Sequence, residues 1–128
     1  IIVMLGTNDT KIRYGVNAVE IGYGIDEVLL QIEDVCRRKG QNPVKIVIAP
    51  AKLYPKPEWV EFSEESCRKA TQLTEEYRQI AAIHKAHFLS AAEILDAKCI
   101  GSDGIHFTEE GHRRLAEEIL LLIKNVTK

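Results

Sequence analysis

Two short apolar runs and a third strand-like run constrain this chain more than any other feature: Ile1-Ile2-Val3-Met4-Leu5, Val44 to Ala49 around Ile46-Val47-Ile48, and His87-Phe88-Leu89-Ser90-Ala91. The first ends at Gly6 and the second at Pro50, residues that favour a turn. Continuous apolar runs without polar alternation read as strands buried on both faces, the pattern of a parallel sheet. Parallel strands need long crossovers between them, usually helical.

The intervening segments have the helical period. Asp26 is a candidate N-cap, followed by Val28, Leu29, Ile32, Val35 and Cys36 on one face. Arg37, Arg38 and Lys39 then complement the helix dipole, and Gly40 follows as a stop. This predicts a helix over 26–39. The preceding stretch, Lys11 to Gly24, carries Gly15, Gly22 and Gly24 and reads as irregular, with a short helical turn around Asn17 to Ile21. Ser63, with Glu64 and Glu65 behind it, caps a helix predicted over 63–86, whose face is Cys67, Ala70, Leu73, Tyr77, Ile80, Ala81 and His84. Ala92 to Gly101 reads as connector. Thr108 caps a last helix over 108–124, with Leu115, Ile119, Leu122 and Ile123 inward. The order β, α, β, α, β, loop, α predicts one domain over 1–128, a three-layer α/β/α sandwich around a parallel sheet.

Ligands of such sheets sit beyond the carboxyl ends of the strands. Gly6-Thr7-Asn8-Asp9 follows the first run and the proline-punctuated Pro50 to Pro57 the second. Asp103-Gly104-Ile105-His106 comes after the third, just before the last helix. Asp103 stands three residues before His106. An imidazole with an acid to orient it, plus the Asn8 amide as donor, makes up most of an acyl-transfer site. Plain alternatives exist for each residue: Asn8 closing an Asx turn, Asp103 capping its own loop, Asp9 bonding backbone in its turn.

Composition removes several other classes. Seventeen basic against 19 acidic residues give a net charge of −2, so no strong field invites nucleic acid or an anionic surface. No apolar run approaches the ~20 residues of a membrane span. Cys36, Cys67 and Cys99 form no CxxC pair, which argues against a disulfide framework and favours a reducing compartment such as the cytoplasm. His84 and His87 form H-x-x-H, but one lies on a helix face and the other opens a strand, so no metal and no cofactor is expected.

Gly6-Thr7-Asn8-Asp9 together with Asp103-Gly104-Ile105-His106-Phe107 resembles the SGNH hydrolases, the GDSL esterases and lipases. The flanks Met4 to Lys11 and Thr108 to His112 look most like their small bacterial arylesterase and acyltransferase branch. Gly6 and Asn8 match the family's G-x-N-D block, and Asp103 and His106 match its D-x-x-H block. The resemblance implies a serine esterase with a small ester substrate. In it His106 is the general base, Asp103 orients His106, Asn8 is an oxyanion donor, and Gly6 and Asp9 shape the motif. The family's G-D-S block and oxyanion glycine block would lie upstream, so the chain reads as the C-terminal portion of a domain, with several tens of residues before Ile1. Any signal peptide would also lie there. Ser63, Ser66, Ser90 and Ser102 are poor substitutes for the nucleophile: two read as helix-start residues, one lies within a strand, and one adjoins Asp103. Tyr54, Trp59 and Phe62 follow the second strand and suit either a substrate pocket or contacts in a homo-oligomer. An acyltransferase using the same site, and a non-catalytic α/β binding module, are the competing readings.

Overall fold

The computed structural model describes all 128 residues. Strand β2 (Ile46–Ala49) runs through its centre, with all four residues buried. It pairs in parallel with β1 (Ile2–Val3) on one side and β3 (His87–Ser90) on the other, giving the order β1-β2-β3. Ile2 lies opposite Ile46, and Ile46 opposite His87.

Because the strands progress in one direction, right-handed crossovers place both connecting helices on the same face. These are α1 (Ala18–Arg38) and α2 (Glu64–Ile83). The pleat sends Val47 and Ala49 toward them, into a core with Val3, Ile21, Ile25, Leu29, Leu73 and Tyr77. Ile46 and Ile48 point the other way, against Ala91, Leu95 and Leu115 of the segment from α3 (Ala91–Ile94) to α4 (Glu109–Val126). The molecule is therefore a three-layer α/β/α sandwich on a parallel sheet. No helix is long and apolar enough to cross a membrane.

Helix α1 starts at Ala18, earlier than its apolar period suggests. Asn17 is its cap: the side chain accepts from Glu20 N–H at 2.9 Å, and Glu20 accepts from Asn17 N–H at 2.8 Å. Gly22 lies inside the helix because a Cβ there would meet Ile80 Cδ1 at 3.1 Å, so its absence brings α1 close to α2. Asp26, expected as the cap, lies within the helix and serves elsewhere. Its carboxylate accepts from buried His84, with 2.7 Å between Oδ1 and Nε2. Glu33 lies 3.1 Å from the other ring nitrogen. Lys45 pairs with Glu33, holding its carboxyl below the ordinary range, and donates to the His84 carbonyl at 2.8 Å. This cluster lies at the amino ends of the strands, and His87 is exposed nearby at the start of β3.

The other helix starts agree with the sequence: Ser63 accepts from Ser66 N–H, and Thr108 accepts from Gly111 N–H. The presumed connector after β3 contains α3 and a 3-10 turn at Ala97–Cys99. β1 is shorter than its apolar run. The Leu5 carbonyl accepts from the Tyr77 hydroxyl at 3.0 Å instead of from a strand, and Gly6 then turns away with φ +121°.

Candidate active site

Two loops at the carboxyl edge of the sheet carry the residues singled out in the sequence. The first follows β1. Gly6 is buried, and a Cβ on it would fall 2.2 Å from the Tyr77 hydroxyl, so that phenol and a side chain at position 6 exclude one another. Burial pushes the Tyr77 phenol well up, keeping it a neutral donor to Leu5. Asp9 N–H donates to the Gly6 carbonyl at 3.0 Å, winding Asn8–Thr10 into a 3-10 turn. Buried Thr10 pins the turn: its hydroxyl donates to Thr7 O at 2.7 Å, and its carbonyl accepts from Ser66 Oγ at 2.8 Å. Asn8 is left exposed, beside a depression of about 230 Å³ whose floor includes Leu5, Gly6 and Pro50. Asp9 is exposed and shapes the turn through its backbone.

The second loop runs from Gly101 to His106 and is closed by an antiparallel bridge between Ile100 and Phe107. Asp103 organises it with both carboxylate oxygens. Oδ1 accepts from the N–H groups of Ile105 and His106, at 2.8 and 2.9 Å. Oδ2 lies 2.5 Å from His106 Nδ1. The bond from His106, and after it the two backbone donors, hold the Asp103 carboxyl down to about 2. Asp103 is thus ionised, His106 turns Nδ1 to it, and Nε2 is left without a hydrogen-bond partner. The His106 side chain is 78% exposed. Loop-capping and imidazole-orienting, alternatives in the sequence, are both done by this one carboxylate.

The segment after β2 lies between the two loops. Pro50 borders the Asn8 depression, and Tyr54 N–H donates to the Gly104 carbonyl at 2.8 Å. Leu53, Phe62 and Ala70 enclose the Ile105 side chain. Further along, Glu61 accepts from Ile12 N–H at 2.9 Å and pairs with Lys11 and Arg13. Asn8, Asp103 and His106 thus share one edge of the sheet. Of the three aromatic residues expected near a substrate, Tyr54 and Trp59 are 44% and 37% exposed. Phe62 is 7% exposed; its ring meets Trp59 edge-on and supports the loop from beneath. Gly104 was not singled out in the sequence, although a glycine between Asp103 and His106 was itself a signal of unusual backbone. A larger concavity, about 620 Å³, opens at the far end of the sheet beside Glu33, Arg37 and Lys45. It is remote from the strand carboxyl ends and contains no acid–imidazole pair aimed outward.

A sequence-family model described as the GDSL-like lipase/acylhydrolase family matches residues 1–114. Among curated proteins, none matches. Among solved structures, the chain is similar to Est24, a carbohydrate acetylesterase from Sinorhizobium meliloti, at 30% identity and a TM-score of 0.88 over 98% of this chain and 60% of that one. It is similar to the native aryl esterase of M. smegmatis at 29% identity and a TM-score of 0.86, over 97% and 59% of the two chains. A carbohydrate acetylesterase family member from Sinorhizobium meliloti, 20% identical with a TM-score of 0.79, shares the fold over 97% of this chain and 59% of that one. The chain thus spans about 60% of the length of the structures it matches.

Proposed function

From the premise that this chain belongs to the GDSL-like lipase/acylhydrolase family, we propose that it forms the C-terminal portion of a single serine ester hydrolase domain. The observation that carries this reading is the Asp103–His106 pair, joined at 2.5 Å with Nε2 free at the carboxyl edge of a parallel sheet.

The reaction follows from that geometry. The nucleophile is a serine outside residues 1–128, because the serines within are committed. Ser63 and Ser66 form a capping box, Ser66 also bonds Thr10, and Ser90 Oγ bonds Thr74 and caps α3. Ser102 sits in the same turn as the imidazole it would need to face. As the serine oxygen bonds the ester carbon, its proton passes to His106 Nε2. The imidazolium is stabilised by Asp103. The carbonyl oxygen becomes an oxyanion, to which the Asn8 amide donates. His106 then gives the proton to the alcohol oxygen as the carbon–oxygen bond breaks. Water repeats the sequence on the acyl-enzyme, and an alcohol in its place gives acyl transfer. Tyr54 and Trp59 supply an exposed apolar lip, and the relatives point to short acyl esters of sugars or aryl alcohols as substrates. The unpaired outer edge of β1, beside exposed Ile1, Ile2 and Leu5, is where the rest of the sheet would join.

The test is hydrolysis of an aryl acetate by the full-length polypeptide that carries these residues. His106→Ala is expected to lower turnover by at least the ~10²–10⁴ that positioned proton transfer contributes. Folded, fully active His106→Ala protein would overturn the reading. Product analysis with added alcohol separates hydrolysis from transfer. Absence of turnover on all esters, with ligand binding intact, would instead favour the binding module.

A further inference from the structure

The His106 ring bonds only to Asp103, three residues away in the same loop. The dyad is thus internally well defined, and its position relative to Asn8 and the sheet depends on what holds the loop as a body. The base of the loop is tied by the Ile100–Phe107 bridge, and two contacts hold its tip. One is Ile105, whose side chain is buried among Leu53, Phe62 and Ala70. The other is Gly104. Its carbonyl accepts from Tyr54 N–H at 2.8 Å, while its own N–H donates to Gly101 O at 2.9 Å.

Gly104 has φ +77°, and a Cβ on it would lie 1.6 Å from the Tyr54 carbonyl oxygen, 2.3 Å from the Tyr54 carbonyl carbon and 3.0 Å from Pro55 N. All of these are main-chain atoms, and Pro55 and Pro57 stiffen the segment that holds them. No side-chain rotation can relieve such an overlap. We propose that Gly104 is a positioning residue of the esterase reaction, whose missing side chain lets the loop after β2 set the place of the Asp103–His106 pair. This rests on the esterase reading above and adds to it a distinct physical role: one residue shapes the pair, another places it. Asp103 fixes the imidazole within its loop, and Gly104 fixes the loop against the sheet.

The two roles differ experimentally. A methyl group at 104 pushes the dyad away as a unit, so its internal bond survives while its alignment with the nucleophile is lost. Misplacement by about 1 Å costs on the order of 10²-fold in rate. In the full-length polypeptide, Gly104→Ala is therefore expected to lower kcat about 10²-fold with KM little changed. The downfield proton resonance of His106 Nδ1–H should persist. Asp103→Asn, by contrast, is expected to lose both rate and resonance. Pro55→Gly adds no bulk and loosens the wall, so it provides a second measurement if Gly104→Ala does not fold. It is expected to lower kcat several-fold at unchanged KM, with the resonance retained. Undiminished kcat in folded Gly104→Ala, or in Pro55→Gly where that is the measurable variant, would overturn the proposal. So would a loss of rate accompanied by loss of the resonance, since Gly104 would then support the dyad itself and not its placement. His106→Ala in the same assay keeps the two ideas apart. Activity surviving in that variant refutes the esterase reading and this one with it, whereas inactive His106→Ala beside fully active Gly104→Ala refutes this one alone.

Discussion

The ionisation of Asp103 is the residue-level property most open to direct measurement. Its carboxyl is held at about 2, below the ~3.9 of a free aspartate, so the folded loop favours the charged form. The sign follows: this contribution is complete above about pH 4 and is lost as pH falls toward 2. A carboxyl-carbon NMR titration should find the Asp103 midpoint well below that of a free aspartate, and an ordinary midpoint would mean that the contacts from His106, Ile105 and the loop backbone are absent. In the full-length polypeptide, on the esterase reading proposed above, Asn8→Ala is expected to lower kcat by roughly 10²–10³ with little change in KM, because an oxyanion donor acts mainly in the transition state. A raised KM at unchanged kcat would make the amide a ground-state binder instead. The place of Asn8, Asp103 and His106 at one edge of the sheet was legible in the sequence because the chain order puts each beyond a strand's carboxyl end. Gly104 was not, because its role lies in an atom it lacks and in the main chain of Tyr54, some fifty positions away, as non-local contacts often are. The burial of Phe62 was not legible, because nothing local to it shows that Ile105 will come to rest against it.

The helices and strands show where local signals suffice. Thr108 and Ser63 were legible as caps because each precedes acidic residues and an apolar period. The start of α1 was obscured by Gly22 and Gly24, which read as loop residues, although Asn17 and Glu20 already had capping-box spacing. These glycines differ. Gly22 is buried against Ile80, whereas Gly24 is exposed with nothing within 4 Å of a Cβ. Gly24→Ala should therefore stabilise the protein by about 0.5–1 kcal/mol, measured by denaturant midpoint at constant m-value. Asn17→Ala removes the cap and should cost ~1 kcal/mol. If both variants left stability unchanged, the first two turns of α1 would be frayed in solution. The length of β1 was not legible, since its end is decided by Tyr77, a residue of another helix.

For the molecule as a whole, the parallel sheet determines both association and assembly. β1 has a partner on one side only, and Ile1, Ile2 and Leu5 are 48%, 47% and 55% exposed. A polypeptide limited to residues 1–128 is expected to self-associate along that edge. Size-exclusion chromatography should show the Ile2→Lys variant shifted toward monomer, and equal elution of the two would place the contact elsewhere. The bond between Tyr54 and Gly104 has a further consequence, one of timing. Each strand pairing joins residues about forty positions apart, so no neighbouring segments can start the sheet and the ladders must close late. The loop after β2 cannot take its place before β2 does, and the Asp103–His106 loop is held by that loop. During refolding, helical signal should return first, protection of the β2 amides later, and protection of the Tyr54 amide, which donates to Gly104, no sooner than that.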